Sequence, residues 1–304
     1  MAGIYREVWE NRVLNKLTTA DQATWLEGVE DKSNKVTGSD EAQTINMIDF
    51  GVEPDVLVNN VDYPIPEQEL NASNIPIALD KYQTKVTPIT DDELQGLVFD
   101  KIDEVTKTHR TAITKAKYKR AIWNIAPAEN TATTPVLLTT GADDGTGRRR
   151  ITFADIVALK KQFDDAEVPE EGRRLVLSTD HVNDILLFDN VFKEKYSNEQ
   201  TGKIMNLAGF DIYSYVATPY FNATTRKRKA FGAATADGDF KASVAFYAPR
   251  VVKAAGILKM YNSEAKSNPS TQKSTLNFRH YFIAMPSKNE AIGAIASAKV
   301  APGA

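Results

Sequence analysis

The chain has 304 residues, 42% hydrophobic and 25% charged, with no cysteine. This composition fits a globular chain with a real core and excludes a disordered polymer or a collagen-like fibre. Lys plus Arg number 37 against 40 Asp plus Glu, a net charge of -3 with no global pull toward nucleic acid or an anionic membrane. The missing thiols exclude disulfide scaffolds, Cys-ligated zinc, iron–sulfur clusters and thiol nucleophiles. No run approaches the roughly 18–20 apolar residues of a membrane span. Arg6, Glu7 and Glu10 stand where a signal peptide needs an apolar stretch, so a cytoplasmic site of synthesis and residence is expected.

Taken in chain order, Ile4, Val8, Val13, Leu14 and Leu17 predict a short amphipathic helix over Gly3 to Leu17. A second helix, over Thr19 to Val29, carries Trp25 and Leu26. Two small helices followed by polar residues 30–41 make no core alone, so they read as an arm lying on something else. Val52, Val56, Val58 and Val61 form one extended stretch, and Ile75, Ile77, Leu79, Thr84 and Val86 alternate in another. Residues 62–74 between them predict the tip of a long hairpin. Pro54, Pro76 and Pro88 favour edge strands. A lone hairpin is marginal in water, so this one needs a neighbour.

Thr90 to Glu93 reads as a capping box, with Ile89 and Leu94 at the staple positions. Behind it, Leu94, Leu97, Val98, Ile102, Val105, Ala112, Ile113 and Ala116 predict one apolar face. No Gly or Pro interrupts from Leu97 to Ala126, and Pro127 ends the run. This long helix is the expected spine of the fold.

A glycine-rich loop, Thr140 to Arg150, leads to a second capping box, Thr152 to Asp155, and a helix carrying Ile156, Leu159 and Phe163. Strand Arg174 to Leu177, a helix with Val182, Ile185 and Leu186, and strand Phe210 to Val216 predict a mixed α/β unit over residues 141–239. Strands follow at Ser243 to Tyr247, Val251 to Leu258 and Leu276 to Ile283. The small apolar run Ala291 to Ala298 suits close packing on a partner surface.

No pattern carries catalysis. Gly141 to Gly147 lacks the glycine spacing and lysine of a phosphate loop, and Asp143 with Asp144 fails the alternating pattern of a calcium loop. His109, His181 and His280 have no second ligand at metal spacing, and no Gly-x-Ser-x-Gly elbow supplies a serine nucleophile. Two basic runs stand out, Arg148, Arg149 and Arg150, and Arg226, Lys227, Arg228 and Lys229. Their bland reading is solvated loops or contacts to acidic neighbours; their functional reading is contact with packaged nucleic acid.

The order of parts resembles the major capsid protein of tailed bacteriophages, the Hong Kong 97-type fold that encapsulin shells also use. Val168-Pro-Glu-Glu-Gly-Arg-Arg-Leu-Val-Leu-Ser-Thr-Asp180 looks like the family's strand-to-helix passage. Asn206 to Tyr213 is similar to its later Gly-Phe-x-Val-Tyr strand, and Phe246 to Ala255 to the segment that returns the chain to the peripheral domain. The resemblance implies an α+β fold with an N-terminal arm (1–44), an extended loop (45–90), a peripheral domain with the spine helix (91–140), an axial domain (141–239) and returning peripheral strands (240–304). It implies a structural coat protein, with no catalytic residue, metal or cofactor. It would assemble as hexamers and pentamers of an icosahedral head in the host bacterial cytoplasm. Packaged double-stranded DNA would lie inside, and scaffolding, portal and decoration proteins are further expected partners; a membrane is not. No long N-terminal scaffolding region is matched, and no pattern marks a Lys–Asn crosslink. An encapsulin-type nanocompartment is the alternative within the fold. A soluble α/β enzyme or binding protein is the alternative outside it.

Overall fold

The structure is a computed structural model describing residues 23–39, 42–50, 56–61, 63–65, 67–68, 72–90, 101–187, 197–198, 203–204, 206–267 and 270–300. Along the chain, β1 (Gln43–Phe50) and β2 (Ala72–Ala78) are followed by β3 (Asp80–Gln83), β4 (Thr87–Thr90) and α1 (Lys101–Ile125). Next come β5 (Val136–Leu138), α2 (Phe153–Asp165), β6 (Arg173–Leu177), α3 (Thr179–Leu186), β7 (Phe210–Ser214) and β8 (Tyr220–Asn222). The chain closes with β9 (Asp239–Tyr247), β10 (Val251–Ser263), β11 (Lys273–Pro286) and β12 (Ile292–Ala296).

One sheet is built on the long antiparallel pair β10 and β11, with β3 and β4 both on β11 and residues Glu30–Asp31 on β10. A larger sheet runs β7-β6-β9-β12-β5, with Asn206–Leu207 on β7 and β8 on β9. Within it β6 and β7 are parallel and joined through α3, a crossover unit. Both its faces are buried. Val176, Val244, Phe246 and Ala294 face a core shared with α1, while Leu175, Leu177, Ala245 and Ile295 face α2 and α3. Period-two alternation therefore shows as two apolar sets rather than one apolar and one polar set.

The capping box of α2 forms: Thr152 Oγ1 accepts from the Asp155 amide at 3.3 Å, and Asp155 Oδ2 accepts from the Thr152 amide at 2.8 Å. The first predicted helix and residues 91–100, with most of the first capping box, lie outside the described residues. α1 ends at Ile125, before Pro127 as expected. Its buried face is only partly the predicted one: Ile113 is buried and Val105 packs against the same cluster, while the side chains of residues 94–102 lie outside the described residues. Ala112 and Ala116 are exposed, and the groups turned inward between residues 106 and 117 are Thr106, His109, Ile113 and Lys117. The aromatic floor of β11 takes them: the His109 ring lies 5.7 Å from that of Phe278, and the Lys117 ammonium 5.0 Å from the centre of Phe282. Toward its C-terminal end α1 buries a larger apolar set, Tyr118, Ala121, Ile122 and Ile125.

Four other expectations need correction. Residues 24–26 form a short 3-10 turn, not a helix on an arm, and Trp25 and Leu26 sit in the subunit's own main core. The hairpin strands are β1 and β2, in register from Thr44 opposite Ala78 to Phe50 opposite Ala72. Val56, Val58 and Val61 therefore lie beyond the paired strands; they cannot pair because β2 takes its partner earlier in the chain. Pro76 and Pro88 do sit in strands with a single neighbour. The run Ala291 to Ser297 is wholly buried as β12, a central strand whose small residues let α2 approach closely; Leu159 Cδ1 would lie 3.0 Å from a Cβ on Gly293. Hence β5, β9 and β12 belong to the larger sheet with β6 and β7, so the expected 141–239 unit gains strands from both flanks, and only β10 and β11 return to the other sheet.

Candidate assembly surfaces and the basic runs

The described part of the hairpin tip is apolar and open. Val56 is 85% exposed, Val58 79%, Val61 84% and Tyr63 77%, an unusual density of large apolar groups in water. The whole subunit exposes 17,772 Å², against about 13,000 Å² for a compact monomer of this mass. At its root the hairpin is firmly held. The Gln43 side chain is buried, and its Oε1 accepts from the Ile257 amide at 3.0 Å, where β10 shifts register between Ala255 and Leu258. Gly256 makes room for it, since a Cβ there would overlap Gln43 Oε1 and lie 2.8 Å from Tyr281 Cβ. A second open surface lies along α1. The exposed Ala112 and Ala116 line a groove of about 830 Å³ with Val105, Ile113, residues Tyr82 to Lys85 and Thr87.

Several residues of the basic runs meet acidic neighbours, as the bland reading allowed, and two of them, Arg148 and Arg228, are built into the fold rather than left as solvated loop. Arg148 is buried and forks onto Asp184, with Nη1 to Oδ2 at 2.8 Å and Nη2 to Oδ1 at 2.9 Å, while its Nε donates to Asp144 at 2.8 Å. This bidentate pair ties the 143–149 loop to α3. Hydrogen bonding to Asp184 holds the Arg148 guanidinium charged, raising its pKa. Arg149 donates to the Gly141 carbonyl at 3.3 Å, and Arg149, Arg150 and Arg226 are half-buried. Lys227 pairs with Glu129 at 2.8 Å on the exposed surface. Arg228 stacks 3.7 Å over Trp123 and donates to the carbonyls of Trp123 and Ala126, closing the C-terminal end of α1 where helix carbonyls lack partners. Burial lowers the Arg228 pKa to about 10. Lys229 pairs with the buried Asp239 at 2.6 Å. The two runs therefore form no single cationic face.

His181 is fully buried between Ser243 Oγ at 2.7 Å from Nδ1 and Ser297 Oγ at 2.9 Å from Nε2. Ser243 and Ser297 are also fully buried, so this serine–histidine pairing meets no substrate and instead links α3, β9 and the end of β12. Burial, and then the charge of Arg148, lower the His181 pKa to about 4. His280 is lowered to about 3 by burial and by Lys117. Among the described residues no three His, Asp or Glu side chains gather as a metal site, and no helix is long and apolar enough to cross a membrane.

No protein-family model and no curated protein matches the chain. Solved structures do. The capsid of Cyanophage P-SCSP1u is 15% identical, with a TM-score of 0.61 over 93% of this chain and 88% of that one. The mature capsid of bacteriophage PhiM1 is 13% identical, with a TM-score of 0.60 over 91% and 87%. The virus-like particle of Pyrococcus furiosus is 11% identical, with a TM-score of 0.54 over 96% and 99%. At such identities the likeness speaks for the fold, and with the spine helix, the open hairpin and the two sheets in place, the chain has the phage capsid fold of the Hong Kong 97 type.

Proposed function

We propose that this chain is the major capsid protein of a tailed phage: a structural subunit that self-assembles, as hexamers and pentamers, into an icosahedral head around double-stranded DNA. The observation that carries it is the joint one of a capsid fold over nearly the whole chain and a hairpin whose apolar tip is left in water. Such a tip costs solvation in the isolated subunit and is stabilised when a neighbour covers it. The groove along α1 is a second apolar surface of the same kind. The role is structural rather than catalytic, and the virion is its location, with assembly in the host cytoplasm. Scaffolding, portal and decoration proteins remain expected partners of such a shell. Arg149, Arg150, Arg226 and Lys227 keep the assignment to DNA or inter-subunit contact; Arg148, Arg228 and Lys229 serve the fold first.

An encapsulin-type compartment is the second reading within the same fold, and the phage capsids among the similar solved structures weigh against it. Electron microscopy of the purified protein tests both. Closed shells holding DNA support the phage head, closed shells holding a protein cargo support the compartment, and a monodisperse compact monomer at high concentration overturns both. Replacing residues 60–74 with a short Gly-Ser turn is expected to leave the subunit folded and to abolish closed shells. Normal shells from that variant would remove the hairpin from assembly.

A further inference from the structure

Where α1 ends, its last turns and residues 217–233 enclose a cavity of about 270 Å³. Its walls are aromatic. Trp123 and Phe231 meet edge to face with ring centres 5.9 Å apart, and Phe231 remains 41% exposed. Trp123 is held rigidly: its Nε1 donates to the Lys229 carbonyl at 2.8 Å, and Arg228 and Arg120 lie 3.7 and 4.5 Å from the ring centre. Its charge is positive. Lys119 and Lys241 line it, and among the described residues neither meets a carboxylate, although the Lys119 ammonium lies 5.7 Å and the Arg120 guanidinium 4.8 Å from the centre of the Phe231 ring; the nearby Lys229 and Arg120 are paired with Asp239 and Asp80. Thr218 lines it as well. Thr218 is 97% buried, and its Oγ1 has no hydrogen-bond partner, a state that costs free energy unless a ligand or water supplies one.

We propose that this cavity binds one nucleotide. The exposed part of the Phe231 ring accepts a base, the ammonium groups of Lys241 and Lys119, neither paired with a carboxylate among the described residues, accept a phosphate, and the Thr218 hydroxyl bonds a polar edge. An acidic peptide side chain would answer the lysines and accept from Thr218 but leave Phe231 unmatched. The volume lies just below the roughly 300–1,000 Å³ of small-ligand pockets, so no more than a single unit enters and a duplex does not. The ligand is a free nucleotide or an unpaired nucleotide of a strand. The inference rests on the geometry of one subunit and stands apart from the shell reading.

The test is titration of the full-length protein with a fluorescent ethenoadenosine monophosphate, followed by anisotropy, beside a short single-stranded oligonucleotide and inorganic phosphate. Saturable binding of the nucleotide is expected, weakened about tenfold or more by Phe231→Ala, in line with base–aromatic stacking. The double variant Lys119→Gln, Lys241→Gln should weaken it further and flatten its salt dependence. Thr218→Val keeps the shape and removes only the hydroxyl; it should weaken binding while leaving the melting temperature of the free protein equal or higher. Tighter binding of the oligonucleotide than of the mononucleotide identifies the source as a strand, and the reverse order identifies a free nucleotide. The proposal is overturned if wild type shows no saturable binding, if phosphate alone or a glutamate-rich peptide competes as well as the nucleotide, or if Phe231→Ala and Thr218→Val both bind unchanged.

Discussion

Arg148→Met cuts a buried ion pair between residues 36 positions apart. The guanidinium makes two hydrogen bonds to Asp184 and one to Asp144, with its own side chain 9% exposed and that of Asp184 4% exposed. Methionine fills much the same space and supplies no donor, so Asp184 would keep only the Ile151 amide at 3.1 Å. A buried carboxylate stripped of its partner costs about 3–5 kcal/mol. For a domain of this size 1 kcal/mol moves the melting temperature by about 2–4 °C, so Arg148→Met should melt roughly 6 °C or more below wild type. Arg149→Ser and Arg150→Ser should each cost far less, because both side chains are half-buried and neither meets a carboxylate. Arg148→Met with Asp184→Leu should recover most of the loss, since no charge is then left alone. Thermal or urea unfolding of the unassembled subunit measures all four. If Arg148→Met melted within about 2 °C of wild type, the clamp would be wrong and the whole run would return to a solvated loop.

The pH dependence has a definite sign. Because the folded His181 pKa, about 4, lies below its ordinary 6.5, its contribution is whole above pH 6.5 and falls away as pH drops toward 4, by about 3 kcal/mol in all; melting curves from pH 7 to 4 should be flatter for His181→Asn than for wild type, and parallel curves would refute the assignment. Asp184 and Asp155 oppose this shift and Arg148 reinforces it, so the Arg148→Met background should show a shallower slope as well. Gly256→Ala should cost about 1–3 kcal/mol by forcing Gln43 and Tyr281 apart, and Gln43→Ala should relieve part of it; additive losses would show the two sites to be independent. Ile122→Ala should cost about 2–5 kcal/mol in the unassembled subunit, whereas Ala112→Ser and Ala116→Ser should leave unfolding unchanged and weaken only shell formation, read by sedimentation; unfolding losses at the alanines would place that face inside the subunit.

Local chemistry was legible along most of the chain. The α2 capping box, the stop before Pro127, the β6-α3-β7 passage and the long strands β10 and β11 all follow from side-chain period and from Pro, Thr and Asp at helix ends. The order of these parts sufficed to point to the capsid fold, because that order is itself a property of sequence. Tertiary structure alone decided the rest. Strand β12 is a run of small residues, and such a run reads the same whether α2 or another molecule covers it. On α1 the predicted Ala112 and Ala116 lose their place to His109 and Lys117, because Phe278 and Phe282, more than 160 positions later, present rings that hold those groups. Arg148 finds Asp184 at a separation of 36 residues and Arg228 finds Trp123 at 105, distances over which no local pattern distinguishes a buried clamp from a solvated charge. A charge shows its type in the sequence; the partner that fixes its role is brought to it only by folding.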